Sequence, residues 1–146
     1  MRYALRDLLD EELDWLYDLN KEVYHEVVVR QFGEWDEAFQ KDMFFANWKT
    51  KRPAKVLELE GKRIGVVILE QQAQYNWLQE IQISSRYQGH GLGTGILKNL
   101  IEAARLEGKP LRLQVLHENH RAKVLYERLG FRELEKREHH FLMEIS

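Results

Sequence analysis

The stretch Gln88-Gly89-His90-Gly91-Leu92-Gly93-Thr94-Gly95 follows a strand-like run, Trp77 to Ile83, and opens a helix-like run, Ile96 to Arg105. Glycines this dense between a strand and a helix strip side chains from the turn and expose its backbone N–H groups. A helix N-terminus adds unpaired N–H donors and a partial positive charge. Together these form a site for a phosphate or pyrophosphate, so the stretch predicts a phosphorylated cofactor.

Working outward toward the C-terminus, the helix reads from about Gly91 to Glu107, with Ile96, Leu97, Leu100, Ile101 and Ala104 as its apolar stripe. Gly108-Lys109-Pro110 stops it. Leu111, Leu113 and Val115 then alternate with Arg112 and Gln114, as a strand requires. A strand–helix–strand unit predicts two parallel strands with a right-handed crossover. Asn119 begins another helix, with Ala122, Leu125, Tyr126 and Leu129 on one face and Gly130 ending it; Phe131 to Ile145 reads as a closing pair of strands.

Toward the N-terminus, Tyr75 to Ile83 is a strand, preceded by a hairpin of Val56 to Glu60, a Gly61-Lys62 turn, and Arg63 to Leu69. Val66-Val67-Ile68-Leu69 is a continuous apolar run, as expected of a strand covered on both faces. Two helices come earlier. Asp10 reads as the N-cap of the first, whose stripe of Leu13, Leu16, Tyr17, Val23 and Tyr24 reaches about Val28. Gly33 breaks it, and an aromatic-rich helix runs from about Trp35 to Trp48, with Pro53 closing the helical region. Tyr3 to Arg6 is a short first strand. With no repeat, linker or low-complexity tract, the order predicts one α+β domain over residues 1–146, built on a mixed, partly parallel sheet.

Composition narrows the classes. A chain of 146 residues is long enough to bury a core without staples. No apolar run approaches a membrane span, and the first residues carry no signal-peptide h-region. The net charge of −2 implies no general attraction to nucleic acid or acidic membranes. Without cysteine there are no disulfides, thiolate metal sites or thiol nucleophiles, and a reducing cytoplasm is the simplest setting.

Two familiar glycine motifs fail here. A Walker A loop needs a Gly-Lys-Ser/Thr ending that this stretch lacks. A dinucleotide fingerprint needs Gly-x-Gly-x-x-Gly, but the third glycine falls on Thr94 or Ile96 in the two registers. Gln88-x-x-Gly91-x-Gly93, by contrast, resembles the Gln/Arg-x-x-Gly-x-Gly/Ala signature of the GNAT superfamily of N-acetyltransferases. Asn119-x-x-Ala122-x-x-Leu125-Tyr126-Glu127-x-x-Gly130-Phe131 resembles that superfamily's second motif, and the element order matches over nearly the whole chain.

The resemblance implies a GNAT-like acyl-CoA N-acyltransferase fold, with two N-terminal helices, a central twisted mixed sheet and a βαβ cofactor unit. It implies acetyl-CoA as cofactor and direct acetyl transfer to a primary amine of a small molecule or peptide. Gln88, Gly89, His90, Gly91, Leu92, Gly93 and Thr94 would hold the pyrophosphate, largely through backbone amides. The backbone near Ile81 and Ile83 would pair with the pantetheine arm, and an N–H near Ile83 would meet the oxyanion. Asn119 would contact the arm near the thioester, and Tyr126 would protonate the departing thiolate, since a tyrosine keeps its proton at neutral pH. Each also has a plainer reading: Asn119 as a helix N-cap, Tyr126 as a core residue, Gly130-Phe131 as a helix stop and anchor.

The base departs from the family pattern. Many relatives place an acid or histidine on the fourth strand at positions that here are Trp77 and Gln79, which leaves them as substrate-binding candidates. Glu80 lies between them; strand alternation turns it to the other face unless a bulge intervenes. It reads either as the base or as a hydrogen-bonding partner across the sheet. Glu34, Trp35 and Asp36 lie between the first two helices, a region that lines the acceptor site in relatives, and Glu34 and Trp35 are further acceptor candidates. An α-amine near pKa 8 barely needs a base, whereas a lysine-like amine at about 10.4 does. Phe39 and Phe45 read as core residues, and Arg30 as a carboxylate anchor or a surface ion pair with Glu26. His117 and His120 read as surface residues, and the neighbours His139 and His140 face opposite ways on a strand, so no metal is expected. A second reading is a non-catalytic acyl-CoA-binding domain of the same fold. Homodimers, common among relatives through the closing strands, complete the expectations.

Overall fold

Ile64, Gly65, Val66, Val67 and Ile68 are all buried in succession, and this two-faced burial makes the third strand the longest. The computed structural model describes residues 2–48 and 53–146. Its strands are β1 (Ala4–Asp7), β2 (Ala54–Leu59), β3 (Lys62–Gln71), β4 (Asn76–Ile83), β5 (Leu111–Leu116), β6 (Arg132–Lys136) and β7 (His140–Ile145). Its helices are α1 (Leu13–Phe32), α2 (Glu37–Asn47), α3 (Leu92–Leu106) and α4 (His120–Leu129), with 3-10 turns at Asp10–Glu12 and Ser85–Tyr87. The strands hydrogen-bond in the order β1-β2-β3-β4-β5-β7-β6. β4 and β5 are parallel, pairing Asn76 with Leu111 and Leu78 with Leu113, as the strand–helix–strand reading requires. The other registers, β1–β2, β2–β3, β5–β7 and β6–β7, are antiparallel. A mixed sheet with four helices confirms the expected fold class.

The chain divides into two compact units, Met1–Ile68 with Glu80–Tyr87, and Leu69–Gln79 with Gln88–Ser146. In the first, Leu16, Tyr17 and Leu19 of α1 and Phe44 of α2 pack with Ala54, Val66 and Ile68. The Tyr17 ring lies 5.4 Å from Phe44, edge on, and 6.1 Å from Phe45. In the second, α3 buries Leu92, Ile96, Leu97, Ile101 and Ala104, β5 buries Leu111, Leu113 and Val115, and β7 buries Leu142 and Met143.

Several local expectations shift. Asp10 is the first residue of a 3-10 turn and not a cap; Glu12 does the capping, accepting the Leu9 N–H at 3.0 Å. α1 continues past Val28 to Phe32, where Gly33 at φ 94° ends it. α2 starts at Glu37, close to the expected Trp35, and Asp36 is its N-cap, its side chain accepting the Phe39 N–H at 3.0 Å. The hairpin turn falls on Glu60-Gly61, one residue earlier than expected, with φ 52° and 78°; two successive positive φ values suit the twist of a tight hairpin. Phe39 is half exposed and so is no core residue, whereas Phe45 packs against the core. Among the described residues no helix is long and apolar enough to cross a membrane.

Candidate active site

In the second unit the glycine-rich turn leads into α3. Gly91 is the N-cap at φ 79° and Gly89 lies at φ 81°. Both angles belong to the left-handed region, which glycine adopts without strain. A Cβ added at either position would meet nothing within 4 Å, so the space over the turn is open. The cap offers no side-chain acceptor, and the first turn of α3 carries no acidic residue. The N-terminal N–H groups of a helix lack intrahelical partners. Here their positive end is neither capped nor neutralised by the helix itself, which suits an incoming anion. Leu92 anchors the turn with a buried side chain, and His90 is exposed.

Asn119 is the N-cap of α4, its Oδ1 facing the Ala122 N–H at 3.4 Å. Tyr126 lies half-buried on the same helix, its ring 5.7 Å from that of Phe131. Phe131 is buried, and Gly130 ends α4 at φ 109°. The anchor reading of Gly130-Phe131 therefore holds, and the anchor steadies Tyr126.

Trp77 pairs with Arg112, which pairs with Glu144. Arg112 Nε donates to Glu144 Oε2 at 2.6 Å, and its guanidinium lies 4.5 Å from the Tyr75 ring centre. Tyr75 in turn meets Trp77 edge on at 6.5 Å, and Gln79 is half-buried. His117 is not a free surface residue: its ring lies 4.7 Å from Phe141 and its Nε2 is 3.1 Å from the His140 carbonyl. Burial, with His139, His117 and Arg137 nearby, lowers the His140 pKa.

In the first unit Glu80 turns toward α1. Tyr24 donates its hydroxyl to Glu80 Oε2 at 2.6 Å, and Gln82 Nε2 approaches the same oxygen at 3.1 Å. Gln82 Nε2 also donates to Asn20 Oδ1 at 3.2 Å. Ile81 and Ile83 are half-buried between these polar positions. Just beyond, Glu22 accepts from the Ser85 amide at 2.6 Å and from the Ser84 hydroxyl at 3.0 Å. The Ser85 amide is the main reason its carboxyl lies below the usual range. Between α1 and α2, Trp35 donates to Glu37 at 2.7 Å and lies 5.4 Å from the His25 ring. Glu34 is exposed, Asp36 is occupied as a cap, and Arg30 pairs with Glu26 at 2.9 Å.

Sequence reading missed Asn20, Gln82 and Glu22. A glutamine inside the apolar run Ile81 to Ile83 was the visible signal; its α1 partner, Asn20, lies 62 residues away, beyond any local pattern.

An uncharacterized N-acetyltransferase of Methanocaldococcus jannaschii is 28% identical over 91% of this chain and 62% of its own length. A thialysine N-epsilon-acetyltransferase of Bos taurus is 40% identical over 42% of this chain and 37% of its own. The chain thus spans less than two thirds of these curated relatives. Among solved structures, the PaiA N-acetyltransferase from Thermoplasma acidophilum in complex with coenzyme A superposes with a TM-score of 0.75 at 18% identity, covering 99% of this chain and 98% of that one. Residues 13–131 match the model of the acetyltransferase (GNAT) family, and with both glycine-turn and α4 motifs inside that span the chain belongs to this family.

Proposed function

We propose that this chain is an acetyl-CoA-dependent N-acetyltransferase acting on a primary amine of a small molecule or peptide. The carrying observation is the open, uncapped glycine turn at Gly89 and Gly91 before α3. Acetyl-CoA supplies an activated acetyl thioester when bound. Backbone amides from Gly89 to Thr94, with Gln88 and His90 beside them, bind the pyrophosphate, and the open space over Gly89 and Gly91 supports this. The edge of β4 at Ile81 and Ile83 hydrogen-bonds the pantetheine arm as an added strand. Asn119 contacts the arm with the part of its amide not used in capping. Tyr126 holds a proton at its hydroxyl for the leaving sulfur. Glu80 takes the proton of the attacking amine, and Glu34, Trp35, Trp77 and Gln79 line the acceptor. One domain spans the chain in this reading, and its setting is the cytoplasm.

Thermal unfolding with and without CoA tests the cofactor. At a hundredfold excess over Kd, binding adds about 2.7 kcal/mol, a rise of several degrees in wild type. Gly91→Val removes that rise whatever its own melting temperature. CoA release with an amine panel then tests the transfer. No CoA-dependent rise in wild type rejects the reading, and a rise without turnover on any amine leaves a binding domain.

A further inference from the structure

Asn20 and Tyr24 are four residues apart on α1, so they project from one helix face, one turn apart. Glu80 and Gln82 are two apart on β4 and share one strand face. The four side chains meet rung by rung: Asn20 with Gln82 at 3.2 Å, Tyr24 with Glu80 at 2.6 Å, and Gln82 with Glu80 at 3.1 Å. Gln82 is 4% exposed, and among the described residues nothing donates to its Oε1. A buried acceptor without a donor destabilises a fold, and an apolar side chain of similar size avoids that cost. Packing alone therefore does not account for a glutamine here. What its amide does accomplish is visible: Nε2 is held by Asn20 and directed at the oxygen that Tyr24 also engages. Two donors converging on one carboxylate oxygen fix the side-chain rotamer of Glu80.

We propose that Tyr24 and Gln82 are positioning residues, steadied by Asn20, that fix the Glu80 carboxylate to take the proton of the acceptor amine. The proton leaves the attacking nitrogen for Glu80 and its electron pair stays on nitrogen. This rests on the acetyl-transfer reading above.

The test is a double-mutant cycle on turnover, with melting temperature measured in parallel. Gln82→Leu and Tyr24→Phe are each made in wild type and in Glu80→Gln. Misplacing a reacting group lowers rate by ~10- to 100-fold. The expected result is that kcat falls on this scale in each single variant, with KM for acetyl-CoA unchanged. Gln82→Leu melts no lower than wild type, and both losses disappear in the Glu80→Gln background. A purely structural role gives the opposite pattern: lower melting, kcat unchanged for the folded fraction, or losses that add to that of Glu80→Gln. Either outcome overturns the proposal. Glu80→Gln with wild-type turnover also overturns it while acetyl transfer stands; a wild type that turns over no amine overturns both.

Discussion

Arg6 grips Glu12 with both terminal nitrogens, Nη1 to Oε1 and Nη2 to Oε2, each at 2.8 Å. Arg63 adds a third contact at 3.2 Å, and Glu12 is 4% exposed. Hydrogen bonds from Arg6 outweigh the burial and, with Leu9 and Arg63, hold the carboxyl at about 2 against an ordinary 4.5. The folded value is the lower one, so the unfolded chain binds the proton first. This stability is complete above about pH 5 and is lost as pH falls toward about 2, with a ceiling of about 3 kcal/mol at 1.36 per unit. Glu12→Gln lowers stability at pH 7 by about 1–3 kcal/mol and flattens the acid limb. Urea unfolding of both proteins from neutral to acid pH measures this. An unchanged acid limb in the variant rules out Glu12 as its source.

Asn76 opens β4 at 1% exposure, and its amide donates to Glu107 Oε2 at 2.6 Å, beyond the last turn of α3. Glu107→Ala leaves a buried donor unmatched, at about 1–3 kcal/mol. The second donor to Glu107, Gln71, is exposed, so Gln71→Ala changes stability little. Denaturant midpoints separate the two; equal losses would contradict the burial argument.

Gly65 and Gly95 respond to alanine in opposite directions. A Cβ on Gly65 would stand 2.2 Å from the Gln82 carbonyl oxygen, which is backbone and cannot step aside. Gly65→Ala destabilises by about 1–3 kcal/mol or more. Gly95 is inside α3 with open space around it, and alanine there gains about 1 kcal/mol of helix propensity. Melting temperatures that move together would refute this.

Tyr126→Phe keeps the ring against Phe131 and removes only the hydroxyl. Turnover falls by ~10²–10⁴, the range for a general acid. The CoA-induced rise stays as in wild type. Full activity in the variant assigns Tyr126 to packing alone.

The sequence by itself determined what depends on neighbours in the chain. The α3 stripe and the alternation of Leu111, Leu113 and Val115 repeat at a helix and a strand period, and the glycine turn is one contiguous cluster. They made the βαβ unit legible without reference to distant residues, and the family resemblance rests on two motifs, Gln88 to Gly93 and Asn119 to Phe131, each contiguous in the chain. Asn119 as a cap and Gly130-Phe131 as a stop were legible for the same reason. Only the tertiary structure decided which polar residues meet. Tyr24 and Glu80 are separated by 56 positions, Arg6 and Glu58 by 52, and periodicity carries no information on such pairs. Two of the local misreadings, at Asp10 and Phe39, have the same origin. Asp10 is a better cap than Leu9 by residue type, but the turn is set by Glu12, which two arginines from other strands hold in place. Phe39 is apolar and suits a core, yet Asp36 sets the phase of α2 and leaves that position facing outward. Burial and pairing follow from where elements pack, and packing is a property of the whole chain.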